Sequence, residues 1–138
     1  MPELIRMSFS IEKPLYDKLD QLVKDASFTN RSEFVRGLIR DRLVAQQWKH
    51  DDECLGTVTL VYNHNLRSLG GKLTKVQHRH HQQILVATHV HLSEDICAEV
   101  VIVKGRASDI EHVANELRRQ KGVLHATVSL STTGKKLA

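Results

Sequence analysis

The 138-residue chain reads as an α+β protein in two parts: a strand-helix-helix unit, then a β-α-β-β-α-β unit. Three features predict this. Residues 4–11, LIRMSFSI, alternate apolar and polar side chains, the period of a half-buried strand. Two stretches with apolar residues at helical spacing follow directly. From residue 55 onward, strand-like and helix-like runs alternate, with a region dense in histidine at their centre.

Taking the elements in order, Ile5, Met7, Phe9 and Ile11 share one face of the first strand, and Arg6, Ser8 and Ser10 share the other. Pro14 suits the first turn of a helix, where its missing N–H has no partner in any case. Leu15, Leu19, Leu22, Val23 and Ala26 carry that helix to about residue 27. Asn30 is placed as an N-cap with Glu33 at the capping-box position. Val35, Leu38, Ile39 and Leu43 then form the apolar face of a second helix, which is expected to fray through QQWKHDDE. The predicted domains are residues 1–48, a linker at 49–54, a second domain at 55–132 and a tail at 133–138.

In the second domain, strands are predicted at about 55–64, 84–92, 97–105 and 123–131. Leu66, Leu69, Leu73 and Val76 mark a helix over 66–77, weakened by Gly70-Gly71. Ser108 is the expected cap of a further helix carrying Ile110, Val113, Ala114 and Leu117, which Gly122 ends. This order is that of a ferredoxin-like split βαβ unit.

The first unit is too small to bury a good core alone, and its single strand needs a partner. A second copy of the chain supplies one most simply, about a two-fold axis. Pairing then leaves Arg6, Ser8 and Ser10, twice over, on an exposed ribbon.

Residues 77–97, QHRHHQQILVATHVHLSEDIC, place His78, His89, His91 and Cys97 at spacing His-x10-His-x-His-x5-Cys. His89 and His91 sit at i and i+2 of a strand, so they share a face, about 7 Å apart along the backbone. After the SED turn, Cys97 opens the next strand, where a hairpin brings its sulfur beside both imidazoles. Each residue alone suits a solvated histidine or a buried small thiol. Two same-face histidines and a thiol across one turn suit a metal, and His78 is the least secure of the four on spacing.

Composition narrows the function. Only two cysteines, Cys54 and Cys97, are present, too few for a disulfide framework. No apolar run is long enough to span a bilayer and no signal-peptide core opens the chain, so a cytoplasmic location is expected. The formal net charge is +4, but residues 1–53 hold nine Lys/Arg against ten Asp/Glu. A nucleic-acid face in that part must come from placement rather than bulk charge. No set of nucleophile, base and oxyanion donors is visible, which argues against an enzyme.

Residues 4–45, with Asn30-Arg31-Ser32-Glu33 opening the second helix, resemble ribbon-helix-helix DNA-binding domains. The resemblance implies that Arg6, Ser8 and Ser10 read bases in the major groove. It also implies that Asn30, Arg31 and Ser32, at a helix start, hold a phosphate. With the βαββαβ unit, the QH pair at 77–78, the THVH pair and Cys97 in register, nearly the whole chain is similar to the nickel-responsive transcriptional repressors.

That resemblance implies a homotetramer, a dimer of dimers, that binds palindromic double-stranded operator DNA and represses nickel-uptake genes. It implies one Ni(II) per chain, held by His89, His91 and Cys97 of one subunit and His78 of a neighbour. Glu99, Tyr62 and His64 resemble residues that support this site. Gly37 stands where the family commonly has an acidic residue of a second cation site, and Cys54 has no evident counterpart. A regulator of the same architecture answering to copper, cobalt or an amino acid is the alternative.

Overall fold

The computed structural model describes residues 2–137. The chain divides into two compact units, Met1–Arg40 and Asp41–Ala138, with the division inside a helix.

In the first unit, α1 (Lys13–Asp25) begins with Pro14 in its first turn and buries Val23. The second helix, α2 (Arg31–Lys49), starts where Asn30 accepts a hydrogen bond from the Glu33 backbone N–H at 2.8 Å. Only this half of the predicted capping box forms, because the Glu33 carboxylate pairs with Arg36 and Arg40 instead. Phe28 and Phe34 meet edge to face across the helix start, with ring centroids 5.4 Å apart.

Residues 2–12 contain no strand, which differs from the strand predicted at 4–11. A strand exists by its ladder, and the described residues of this unit hold no second strand to pair with. Ile5 is 86% exposed and Phe9 62% exposed, so the apolar face predicted from alternation has nothing to cover it within one chain.

The second unit is built from β1 (Glu53–Asn63), α3 (Leu69–Arg79), β2 (Ile84–His91), β3 (Ile96–Arg106), α4 (Ala107–Arg118) and β4 (Val123–Thr132). The predicted β-α-β-β-α-β order is observed. The four strands form one antiparallel sheet in the order β2-β3-β1-β4. Strands β1 and β3 alternate strictly in burial. Val58, Leu60, Tyr62, Val101 and Val103 face Leu69, Leu73 and Val76 of α3 and Ile110, Val113 and Leu117 of α4.

Two boundaries moved, each for a physical reason. The second helix does not fray through QQWK. Trp48 is buried against the sheet, and its indole N–H donates to the Ser131 carbonyl at 2.8 Å, which holds the last turn in place. Gly56 of β1 makes room for that ring. A Cβ there falls 2.7 Å from Ile110 Cγ2 and 3.2 Å from Trp48. Finally, α4 begins at Ala107, so Ser108 is not its cap. Asp51, far back in the chain, accepts from the Ser108 N–H at 2.7 Å and from its hydroxyl at 3.0 Å.

These two bonds hold the Asp51 carboxyl below the usual carboxylate range. Stability from a depressed carboxyl is present above its unfolded pKa and fades as pH falls through the folded value. Asp51→Ala is therefore expected to lower the melting temperature at pH 7. Melting curves from pH 7 down to pH 2 should show the gap to wild type closing at the acid end.

Candidate metal centre

The sheet register assembles the centre. Strand pairing sets His91 opposite Cys97 and Cys97 opposite Tyr62. One row along, it sets His89 opposite Glu99 and Glu99 opposite Leu60. Both rows lie on the face that α3 and α4 cover, but β2 is an edge strand, so His89 and His91 stay exposed while Cys97 and Glu99 are buried.

Around the sulfur, His91 Nδ1 lies 3.2 Å from Cys97 Sγ and His64 Nδ1 lies 3.3 Å from it. The three donors lie within 4.8 Å of one another. His64 is held there because its backbone N–H donates to the Asp95 carbonyl at 3.0 Å, while Asn65 bonds the Asp95 side chain. With metal–nitrogen and metal–sulfur bonds of about 2.0 and 2.3 Å, an N···S pair on one ion is about 3.1 Å apart at a right angle and about 3.5 Å apart at a tetrahedral angle. The observed separations fall in that window. Imidazole and thiol donors also suit a late divalent transition metal.

His89 is engaged elsewhere in the single chain. Its Nε2 is hydrogen-bonded to the Tyr62 hydroxyl, and its Nδ1 faces the Glu99 carboxylate at 3.9 Å. Burial, aided by the nearby Glu99 and Cys97 charges, pushes the Tyr62 phenol up to about 12, so at neutral pH it keeps its proton. A protonated phenol donates to Nε2, which leaves the proton of a neutral imidazole on Nδ1, toward Glu99. Glu99 also accepts from the Gln77 amide at 3.0 Å, tying β3 to the last turns of α3.

The four residues read from the sequence are thus distributed as follows. His91 and Cys97 converge, and His89 stands on the same face one row away. His78 lies exposed on α3, where it lines a shallow pocket with Thr74, Gln77, His81 and Ile84. His64 reaches the sulfur as closely as His91 does. No spacing rule gives it this place, because it arrives through the pairing of two loops, 64–68 and 92–95. Cys54, read from the sequence as a linker residue, is a buried member of β1, and burial pushes its thiol up.

In the first unit, Arg6, Ser8 and Ser10 are exposed. Asn30 spends its side-chain oxygen on the Glu33 N–H, and Ser32 is exposed. Arg31 is bound back to α1. It pairs with Asp20 at 2.8 Å, bonds the Tyr16 hydroxyl and sits 4.9 Å above that ring. The pairing holds the Asp20 carboxyl below its ordinary value and raises the guanidinium.

Two family profiles match. Residues 5–46 match a ribbon-helix-helix protein profile of the copG family, and residues 55–131 match the NikR C terminal nickel binding domain. A protein of Geotalea uraniireducens that carries the provisional name of nickel-responsive regulator is 46% identical over 138 residues, 99% of each chain. One of the same name from Pyrococcus furiosus is 41% identical over 133 residues, 96% of each chain. Among solved structures, an uncharacterized protein of Thermotoga maritima superposes with a TM-score of 0.52 at 14% identity, covering 57% of this chain and 98% of its own.

Proposed function

The chain belongs to the nickel-responsive regulators, a family of DNA-binding proteins and not enzymes, and on that premise we propose that it binds operator DNA when loaded with Ni(II) and represses nickel-uptake genes in the cytoplasm. The observation that carries this is the His91–Cys97 pair at 3.2 Å, on the same sheet face as His89.

The ligand set is His89, His91 and Cys97 of one chain with His78 of a second, one ion per chain. When bound, the ion supplies a fixed bridge between chains. Glu99 would orient His89 through Nδ1, the Tyr62 hydroxyl would give up Nε2 to the ion, and Glu99 also holds Gln77 beside His78. Glu99→Ala is expected to weaken nickel binding about 10–100-fold, in a competition against a calibrated chelator, while the fold persists.

His64 supports a second reading, in which the third nitrogen comes from the same chain. His78→Ala and His64→Ala separate the two. Loss of nickel affinity in the first variant and not the second is expected; the reverse would place the site within one subunit. Copper binds such donors at least as strongly as nickel, so the response rather than affinity must discriminate.

Assembly follows from what one chain leaves bare. Ile5, Met7 and Phe9 wait for a second ribbon. The open face of the ferredoxin-like sheet presents Val61, Val86, Val90, Val100 and Ile102, and supports a dimer of dimers. Paired ribbons then offer Arg6, Ser8 and Ser10 to the bases of palindromic half-sites. Phosphate binding falls to Ser32, the backbone N–H groups at the start of α2, and the N–H groups of Arg31 that Asp20 and Tyr16 leave free.

Ordering of the α3 end around His78 on loading biases the pairs of ribbons toward two successive half-sites. This coupling is reciprocal, on the order of 1–3 kcal/mol, so operator DNA must tighten nickel binding, read by equilibrium competition against a calibrated chelator, by the matching factor. Equal nickel affinity with and without operator would remove the coupling.

A further inference from the structure

Outside the sulfur-centred group, a second set of donors meets between α3 and α4. His80, just past α3, brings Nε2 to 3.0 Å from Glu116 Oε2. His112, one helical turn before Glu116 on α4, brings Nε2 to 3.1 Å from Oε1. The two rings stand edge to face with centroids 5.6 Å apart, and the three donor atoms lie within 4.8 Å of one another. His80 and Glu116 are largely buried at the side chain, and His112 is open to solvent.

We propose that His80, His112 and Glu116 form a second site for a divalent transition metal ion such as Zn(II) or Ni(II). Two imidazoles and one carboxylate are a recurrent three-ligand set that leaves the remaining positions to water. With metal–ligand bonds of about 2.0–2.2 Å, donors on one ion stand about 2.9–3.4 Å apart, which is the spacing between each ring and the carboxylate. The i, i+4 relation of His112 and Glu116 puts both on one helix face without distortion.

Arg79 is the competing partner. Its Nη2 lies 3.3 Å from Glu116 Oε2, so an ion displaces that contact; the side chain is 60% exposed and free to turn outward. Oε1 faces only His112 among the described contacts, and it offers the carboxylate's second donor. An ion here ties the end of α3, which carries His78, to α4.

Equilibrium dialysis of the full chain against Zn(II), and separately Ni(II), tests the site. Wild type is compared with His112→Ala and Glu116→Gln, each also in a Cys97→Ala background. His112 is exposed on a helix surface, so its removal leaves the fold intact, and thermal melting verifies this. The expected result is one ion per chain fewer in both variants, or a loss of affinity for that ion of at least 10-fold. Any sulfur-to-nickel absorption stays unchanged. The same loss is expected in the Cys97→Ala background, so the outcome is readable whether or not the sulfur site binds nickel. Equal stoichiometry and affinity in wild type and both variants would overturn the proposal and leave an ion-pair cluster of Arg79, His80, His112 and Glu116.

Discussion

Cys97→Ala is expected to abolish the sulfur-to-nickel charge-transfer absorption and to lower nickel affinity by more than about 100-fold. The sulfur is the donor around which the others gather, with His91 and His64 nitrogens at 3.2 and 3.3 Å. Loss of an outer partner of a ligand costs about 10–100-fold, so loss of the thiolate itself costs more. Cys97 lies in the core, yet alanine removes only one atom there and β3 keeps its ladder to β1 and β2. The variant should therefore fold, and its circular dichroism should match wild type. An unchanged nickel isotherm would show that the metal sits elsewhere.

Trp48→Ala is expected to have the largest effect on stability, about 3–5 kcal/mol, the usual cost of emptying a buried aromatic site. The ring packs beside Gly56 and Ile110, and its N–H is anchored on Ser131. For a unit of this size each kcal/mol is worth about 4–8 °C, so the melting temperature should fall by more than about 10 °C. Trp48→Phe keeps most of the packing but loses the indole donor, and should cost about 1–2 kcal/mol from the unmet Ser131 carbonyl. A change under 1 kcal/mol for the alanine variant would mean that the end of α2 does not need its seat on the sheet.

Trp48 also shows where reading the sequence stops. Its neighbours Gln46, Gln47, Lys49 and His50 are polar, and a helical wheel over that stretch has no stripe. Its partners Ser131 and Ile110 are distant in sequence, and only the sheet brings them near. The same holds for Asp51, which caps a helix that starts at residue 107. Local patterns favoured Ser108, because capping residues are ordinarily adjacent to the helix they serve.

By contrast, strands β1 to β4, the hairpin between β2 and β3, and the shared face of His89 and His91 all follow from period-two alternation and turn residues. The position of Cys97 opposite His91 follows from hairpin register. His64 was legible only as a neighbour, since its approach to the sulfur depends on Asp95 pulling two loops together. The strand expected at 4–11 is not observed, because the described residues of one chain offer it no ladder.

The most direct test of metal control is the affinity of one preparation for one DNA fragment, taken from upstream of the host's nickel-uptake genes. It is measured by gel shift after rigorous chelation and again after loading with one Ni(II) per chain. Tight, sequence-specific binding only in the loaded state is predicted, with Cys97→Ala remaining at the chelated level in both. Equal affinity of chelated and loaded wild-type protein for that fragment would contradict the account.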